Sequence, residues 1–380
     1  MSKARVIAFY LPQFHPIPEN DMWWGKGFTE WTNVAKAKPA FPGHVQPKVP
    51  ADLGFYDLRL PEVRKAQAEM ARACGVEGFC YWHYWFGKGK TLLERPFNEV
   101  LRSGEPDYPF CLAWANHSWT NKTWQKNQAF QKDTLFMEQT YGDREDDIRH
   151  FYAVLPAFQD HRYITVDGKP LFMIFSPYDF PNLKGFTELW NELARKNGLK
   201  GIYFVGKTES VGRFDKGLLH DYEADIPKRY EEVLGMGMDA VNSTNTRRAE
   251  IRAAGQLSMI TRRLITKLNN DILVEKYDYR KIIENLFTED DKRENVFPTI
   301  IPRFDKTPRL GKRACAFVGA TPALFEKSAR EAIALVSEKE PEHRIIFLQA
   351  WNEWGEGNYM EPDLEYGHGF LDALRNALES

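Results

Sequence analysis

Short apolar runs followed by polar-aromatic exits and then by helical stretches recur along the chain. Arg5–Tyr10 (RVIAFY) is an apolar run stopped by the prolines of LPQFHPIPEN. Val76–Phe86, Pro109–Trp114, Pro170–Phe175, Gly201–Val205, Met238–Val241, Val296–Ile301 and Ile345–Leu348 repeat the theme. Runs of this length without strict alternation, bounded by Gly or Pro, are the pattern of strands buried on both faces. Between them, 3.6-residue periodicity predicts helices over Pro61–Gly75, Leu92–Arg102, Asp146–Phe158, Gly185–Asn197, Tyr279–Leu286, Pro322–Ser337 and Gly369–Leu378. Eight strands alternating with helices fit a (β/α)8 TIM-like barrel, with its site at the C-terminal ends of the strands. The alternative is a doubly wound open sheet. It lacks support at the first strand exit, where LPQFHP stands in place of a glycine-rich phosphate-binding turn.

Two segments interrupt the alternation. Asn20–Leu60 is a long first βα loop whose Trp23, Trp24, Phe28 and Trp31 argue for an ordered cover over the barrel mouth rather than disorder. From about 207 to 295 the pattern weakens into an inserted helical region. There, Arg247–Leu268 reads as a basic amphipathic helix with Ile251, Leu257, Ile260, Leu264 and Leu268 near one stripe. Such a helix either packs on the barrel or makes peripheral contact with a membrane carrying a lipid-linked glycan.

The 380 residues are read as one catalytic domain, residues 1–380. Lys and Arg number 51 against 53 Asp and Glu, a net charge of −2, so no global field would attract nucleic acid. Aromatics, at 14% with 11 Trp, exceed what a core of this size needs and stand beside Asn, Gln, His and Glu. That combination suits a ligand with flat apolar faces and polar edges, as a sugar has. Four cysteines without CxxC spacing are expected as free thiols, and neither HExxH nor a DxD motif marks a metal site, so no cofactor is expected. The start lacks a cleavable leader pattern and no run approaches the ~20 apolar residues of a membrane span. A cytoplasmic location is the simplest expectation.

Candidate chemistry concentrates in Arg344–Gly357, RIIFLQAWNEWGEG, where the eighth strand gives way to Glu353 and Glu356. Three residues apart, the two carboxylates face opposite ways on a continuing strand but one way if the chain turns, and Gly355 and Gly357 permit a turn. Two converging carboxylates are what glycosidic bond cleavage needs, and apolar surroundings separate acid from base. Candidate sugar contacts at the same exit are Trp351, Asn352, Trp354 and Tyr359. Others lie at the first exit and its loop (Tyr10, Gln13, His15, Glu30, Trp31), the second (Trp82, His83, Tyr84) and the third (Trp114, Asn116, His117, Trp119).

WNEWGEG resembles the EWHEG-type motif of glycoside hydrolase family 99, the endo-α-mannosidases and endo-α-mannanases. Together with AFYLPQFHPIPENDMWWGKGFTEWTNV, GFCYWHYWF and LAWANHSWT, it makes the chain similar to WbsX-type, family-99-like proteins found with lipopolysaccharide and O-antigen biosynthesis. The resemblance implies a (β/α)8 barrel and a retaining reaction through a 1,2-anhydro sugar. By motif position, Glu353 would be the base that deprotonates the sugar 2-hydroxyl. Glu356 would be the acid that protonates the departing oxygen and later activates water or an incoming hydroxyl. Gly355 stands where those hydrolases carry histidine, so mannose specificity does not carry over. The expectation is a glycosidase or transglycosidase acting on bacterial surface polysaccharide or its precursors. The alternatives are a glycosyltransferase of the same pathway and a non-catalytic glycan-binding barrel.

Overall fold

The computed structural model describes residues 3–120, 134–209, 225–255 and 274–380. Eight strands form a closed, wholly parallel barrel: β1 (Arg5–Tyr10), β2 (Val76–Trp85), β3 (Phe110–Trp114), β4 (Lys169–Ile174), β5 (Tyr203–Glu209), β6 (Ala240–Thr244), β7 (Val296–Ile300) and β8 (Ile345–Leu348). Each pairs with its neighbours in chain order, and β1 closes the ring by pairing with both β2 and β8. Helices such as Pro61–Ala73, Arg144–Phe158, Leu183–Lys196 and Pro322–Val336 lie between strands along the chain, and Gly369–Glu379 follows the last. The architecture is the (β/α)8 barrel expected, and not an open sheet.

The strands are mostly buried because the barrel interior covers one face and the helices the other. Their boundaries differ from the pattern where backbone chemistry intervenes. Pro109 has no N–H and lies before β3, its carbonyl accepting from Phe79 N at 3.0 Å. Gly201, at φ +139°, precedes β5, which runs on through Gly206. A Cβ at Gly206 would meet Val233 Cγ1 at 2.4 Å, so only glycine lets the helix Ile226–Gly235 pack that close. β6 extends into polar Asn242–Thr244, where side-chain donors find partners inside: Asn242 Nδ2 donates to Thr299 Oγ1 at 2.9 Å and Ser243 Oγ to the buried Asp291.

The long first loop is ordered. It carries two helices, Pro18–Trp24 and Glu30–Ala35, the second with a Thr29–Thr32 capping box. Farther on, His44 Nε2 and Gln46 Nε2 each bond Asp305 at 2.7 Å, fastening the loop to the β7 exit. In the inserted region the described helix is Thr246–Ala254, ended by Gly255 at φ +74°. Its buried Ala249 joins a secondary cluster with Tyr279, Ile282, Ile301 and Phe317. Leu257, Ile260, Leu264 and Leu268 lie outside the described residues. Among the described residues, no helix is long and apolar enough to cross a membrane.

Candidate active site

After β8 the chain turns. Asn352–Glu353 pairs antiparallel with Asn358–Tyr359, a single helical turn spans Trp354–Glu356, and Gly357 takes a left-handed conformation at φ +56°. This brings Glu353 and Glu356 to line one cavity, as the turned chain requires. The turn is held from behind by the buried Glu361. Its carboxylate accepts from Trp354 Nε1 at 2.6 Å, Gln67 Nε2 at 2.6 Å, Tyr56 Oη at 2.9 Å and Trp351 Nε1 at 3.1 Å. Asn352 clamps the turn to the β1 exit through Leu11 N (2.7 Å) and Leu11 O (3.1 Å).

In front of the turn, Arg309 reaches in from the loop after β7. Its Nε and Nη2 grip the fully buried Glu30 at 3.1 and 2.9 Å, Nη1 donates to Glu356, and Nη2 also reaches Glu353 at 3.1 Å. Lys306 Nζ lies 3.4 Å from Glu356. The two glutamates are pulled apart electrostatically. Burial pushes Glu353 up, to about 7; Arg309 opposes this and the charges of Glu356 and Glu30 add to it. Burial would also raise Glu356, but Lys306 and Arg309 outweigh it and hold it below the usual range. Of the two, Glu353 therefore holds a proton to higher pH than Glu356. That order is opposite to the one the hydrolase-like motif implies at the moment of bond cleavage.

The cavity has a volume of about 430 Å³. Of the residues singled out from sequence, Gln13, Trp82, Tyr84, His117, Trp119, Glu353 and Glu356 line it. Trp82 lies flat on Phe9, ring centroids 4.8 Å apart, and Trp119 meets Tyr84 edge-on at 5.1 Å. The others do not line it, and most bond elsewhere. Tyr10 Oη donates to Gln67 Oε1 at 2.7 Å, and Trp31 Nε1 to Tyr56 O at 2.7 Å. His83 and His150 share a 2.8 Å contact between their Nε2 atoms, both kept neutral by burial. Trp114 Nε1 donates to Trp85 O at 2.9 Å; Asn116 bridges Tyr141 Oη and the Ser176 backbone. His15 is buried, with burial pushing its pKa down to about 4. Glu30 faces Arg309 from beneath, Trp351 and Trp354 face Glu361, and Tyr359 Oη donates to Asp363 at 2.6 Å.

Sequence reading missed Arg309, Lys306, Lys207, Arg247, Glu250 and Phe175, which line the cavity from the exits of β4 to β7. The signal was present in position: TPRLGKR follows the seventh apolar run, and Lys207 follows the fifth. Cys315 also borders the cavity; Cys74, Cys80 and Cys111 are buried thiols. Among the described residues, no group of three or more His, Cys, Asp or Glu side chains is placed to hold a metal ion.

The fold and the site define the class: a closed (β/α)8 barrel with two partly buried glutamates just after its eighth strand. The chain belongs to the family described as Glycosyltransferase WbsX, whose model matches residues 6–374. Two curated relatives, each named Uncharacterized protein WxcX, from two strains of Xanthomonas campestris pv. campestris, are 34% identical over 376 residues. These residues are 99% of this chain and 50% of each relative, so the chain spans about half the length of the curated relatives it matches. Among solved structures, a glycoside hydrolase-like protein is similar at TM-score 0.62 and 15% identity, covering 100% of this chain and 94% of its own. The family 99 endo-α-mannosidase of Bacteroides thetaiotaomicron, in complex with bis-tris propane, is similar at TM-score 0.56 and 14% identity, with 100% and 97% covered. At these identities the likeness is one of fold.

Proposed function

We propose that this protein is a glycoside-processing enzyme, a retaining glycosidase or transglycosidase acting on bacterial surface polysaccharide or its precursors. The observation that carries the reading is the convergence of Glu353 and Glu356 on one cavity, with one proton and one charge between them. That inventory is what the step implied by the motif requires. A base takes the proton of the sugar 2-hydroxyl, and the freed oxygen attacks the anomeric carbon. The bond to the departing oxygen breaks, and that oxygen leaves with a proton from the acid. Water or an acceptor hydroxyl, deprotonated by the former acid, then opens the 1,2-anhydro ring, and the first base returns its proton to the 2-oxygen. Glu353 as base and Glu356 as acid follow from motif position. The charge order of the free protein favours a second reading with the roles exchanged. The aromatic wall of Trp82 and Trp119 and the polar Gln13 and His117 supply the apolar and hydroxyl-binding surfaces a sugar needs.

The test is turnover of a panel of polysaccharides, lipid-linked glycans and activated α-glycosides by the wild type, Glu353→Gln and Glu356→Gln. Each substitution is expected to lower kcat by about 10²–10⁴-fold while glycan binding persists. On a substrate whose leaving group needs no proton, the variant lacking the acid recovers and the variant lacking the base does not. Near-normal activity of either variant on the true substrate would sink the assignment. Net transfer from an activated sugar nucleotide, with neither glutamate required, would point instead to a glycosyltransferase of another design.

A further inference from the structure

We propose that Glu30 and Arg309 are positioning residues: the buried guanidinium fixes where Glu353 and Glu356 stand, and Glu30 anchors that guanidinium. This rests on the reading that Glu353 and Glu356 are the reacting pair, but its own consequence can be measured without a substrate.

The geometry is a fork with three prongs. Glu30 occupies Arg309 in two-point fashion, through Nε and Nη2, leaving Nη1 for Glu356 and only a shared Nη2 for Glu353. Glu356 has a second cation in Lys306. At the fork itself three carboxylates face Arg309 and Lys306, and burial makes an uncompensated negative charge costly by several kcal/mol. One carboxylate resolves the imbalance by holding a proton, and Glu353, with one shared contact at 3.1 Å, is the least supported of the three. Arg247 pairs with Glu250 at 2.8 Å, Lys207 Nζ donates to Thr244 Oγ1 at 2.7 Å, and burial pushes Tyr84 and Cys315 further up, keeping both neutral.

Gly355 is the sequence mark of this device. A Cβ there would stand 1.8 Å from Glu30 Oε1 and 3.0 Å from Arg309 Nε. The Glu30 carboxylate fills the space that any side chain at 355 would need. Glu30, Arg309 and Gly355 are therefore one unit contributed by three loops.

The experiment is a pH titration of the full chain with 13C-labelled glutamate δ-carboxyls, followed by NMR. Two carboxyls, Glu353 and Glu361, are expected to titrate near pH 7, and Glu353→Gln deletes one of them. Glu30→Gln removes a negative neighbour and moves the Glu353 signal to lower pH. Arg309→Gln removes the positive neighbour and moves it to higher pH. Glu361, held by neutral donors, stays put in both and reports that the fold is intact. Opposite shifts support the proposal, since a merely structural role would give none. A Glu353 signal unmoved by Glu30→Gln, or no neutral-range signal lost in Glu353→Gln, overturns it. If Arg309→Gln does not fold, Glu30→Gln alone decides. Shifts as expected combined with full turnover by Glu353→Gln would leave the proton assignment standing and the functional reading refuted.

Discussion

Strands β2 to β4 present Trp82, Tyr84, His117, Trp119 and Phe175 to the cavity, whereas β5 to β8 present the Arg247–Glu250 pair, Lys306, Arg309 and the two glutamates. One wall is flat, aromatic and without formal charge; the other is an array of charged groups, several of them ion-paired. Their supports differ in the same way. Rings hold the aromatic wall, as where Trp82 lies on Phe9 and Trp119 meets Phe86 at 5.6 Å. Ion pairs and backbone contacts over hundreds of residues hold the charged one, as between Arg309 and Glu30. A sugar laid between them would offer a hydrophobic face to one side and its anomeric centre to the other. The contrast suggests that the aromatic wall governs affinity and the charged wall governs chemistry.

Substitutions can break that division, beginning with the most damaging. Gly355→Ala forces a methyl into the Glu30 carboxylate. Disrupting a buried pair typically costs ~3–5 kcal/mol, so a drop of that size is expected in chemical denaturation, with turnover lost. A variant of wild-type stability would show that the contact yields easily. Glu361→Gln comes next. An amide N–H₂ there would face indole or amide donors, at a cost of about 1–3 kcal/mol, and kcat should fall as the turn loosens. Burial also pushes Glu361 up, to about 7, from a usual 4.5. Between those values the folded chain holds protons the unfolded chain has released, so stability falls as pH rises through this window. Glu361→Gln should flatten that slope, measurable as Tm against pH; an unchanged slope would place the proton elsewhere. Smallest is Trp119→Ala on the aromatic wall. Losing a stacking surface worth ~0.5–1.5 kcal/mol should raise KM by up to about tenfold with kcat little changed. A fall in kcat alone would contradict the division.

The barrel was legible because its strands are apolar runs with abrupt polar ends, and the register of burial repeats eight times. β1 and β8 fall where the pattern puts them, Arg5–Tyr10 and Ile345–Leu348. β6 runs past its apolar residues because Asn242 donates to Thr299 and Ser243 to Asp291, partners that no hydropathy pattern reveals. The two glutamates stood out because a strand exit crowded with Trp and Gly is unusual. Arg309 did not, because its importance comes from meeting Glu30, 279 positions earlier in the chain, and pairing at that distance leaves no local trace. Several aromatics and histidines at the right strand ends point away from the cavity for the same reason: the exit is visible in sequence, while the side-chain direction depends on the neighbouring strand.

The closing pair of strands has a consequence for how the molecule is made. β1 waits for β8 to complete the ring, and Leu11 waits for Asn352, 341 residues later. A growing chain therefore has all its aromatic wall before it has its acid pair, and Glu30 remains without its fork until Arg309 has been synthesised. The cluster around Arg309 is therefore the last part of the cavity wall to be assembled, and it can form only once the ring has closed.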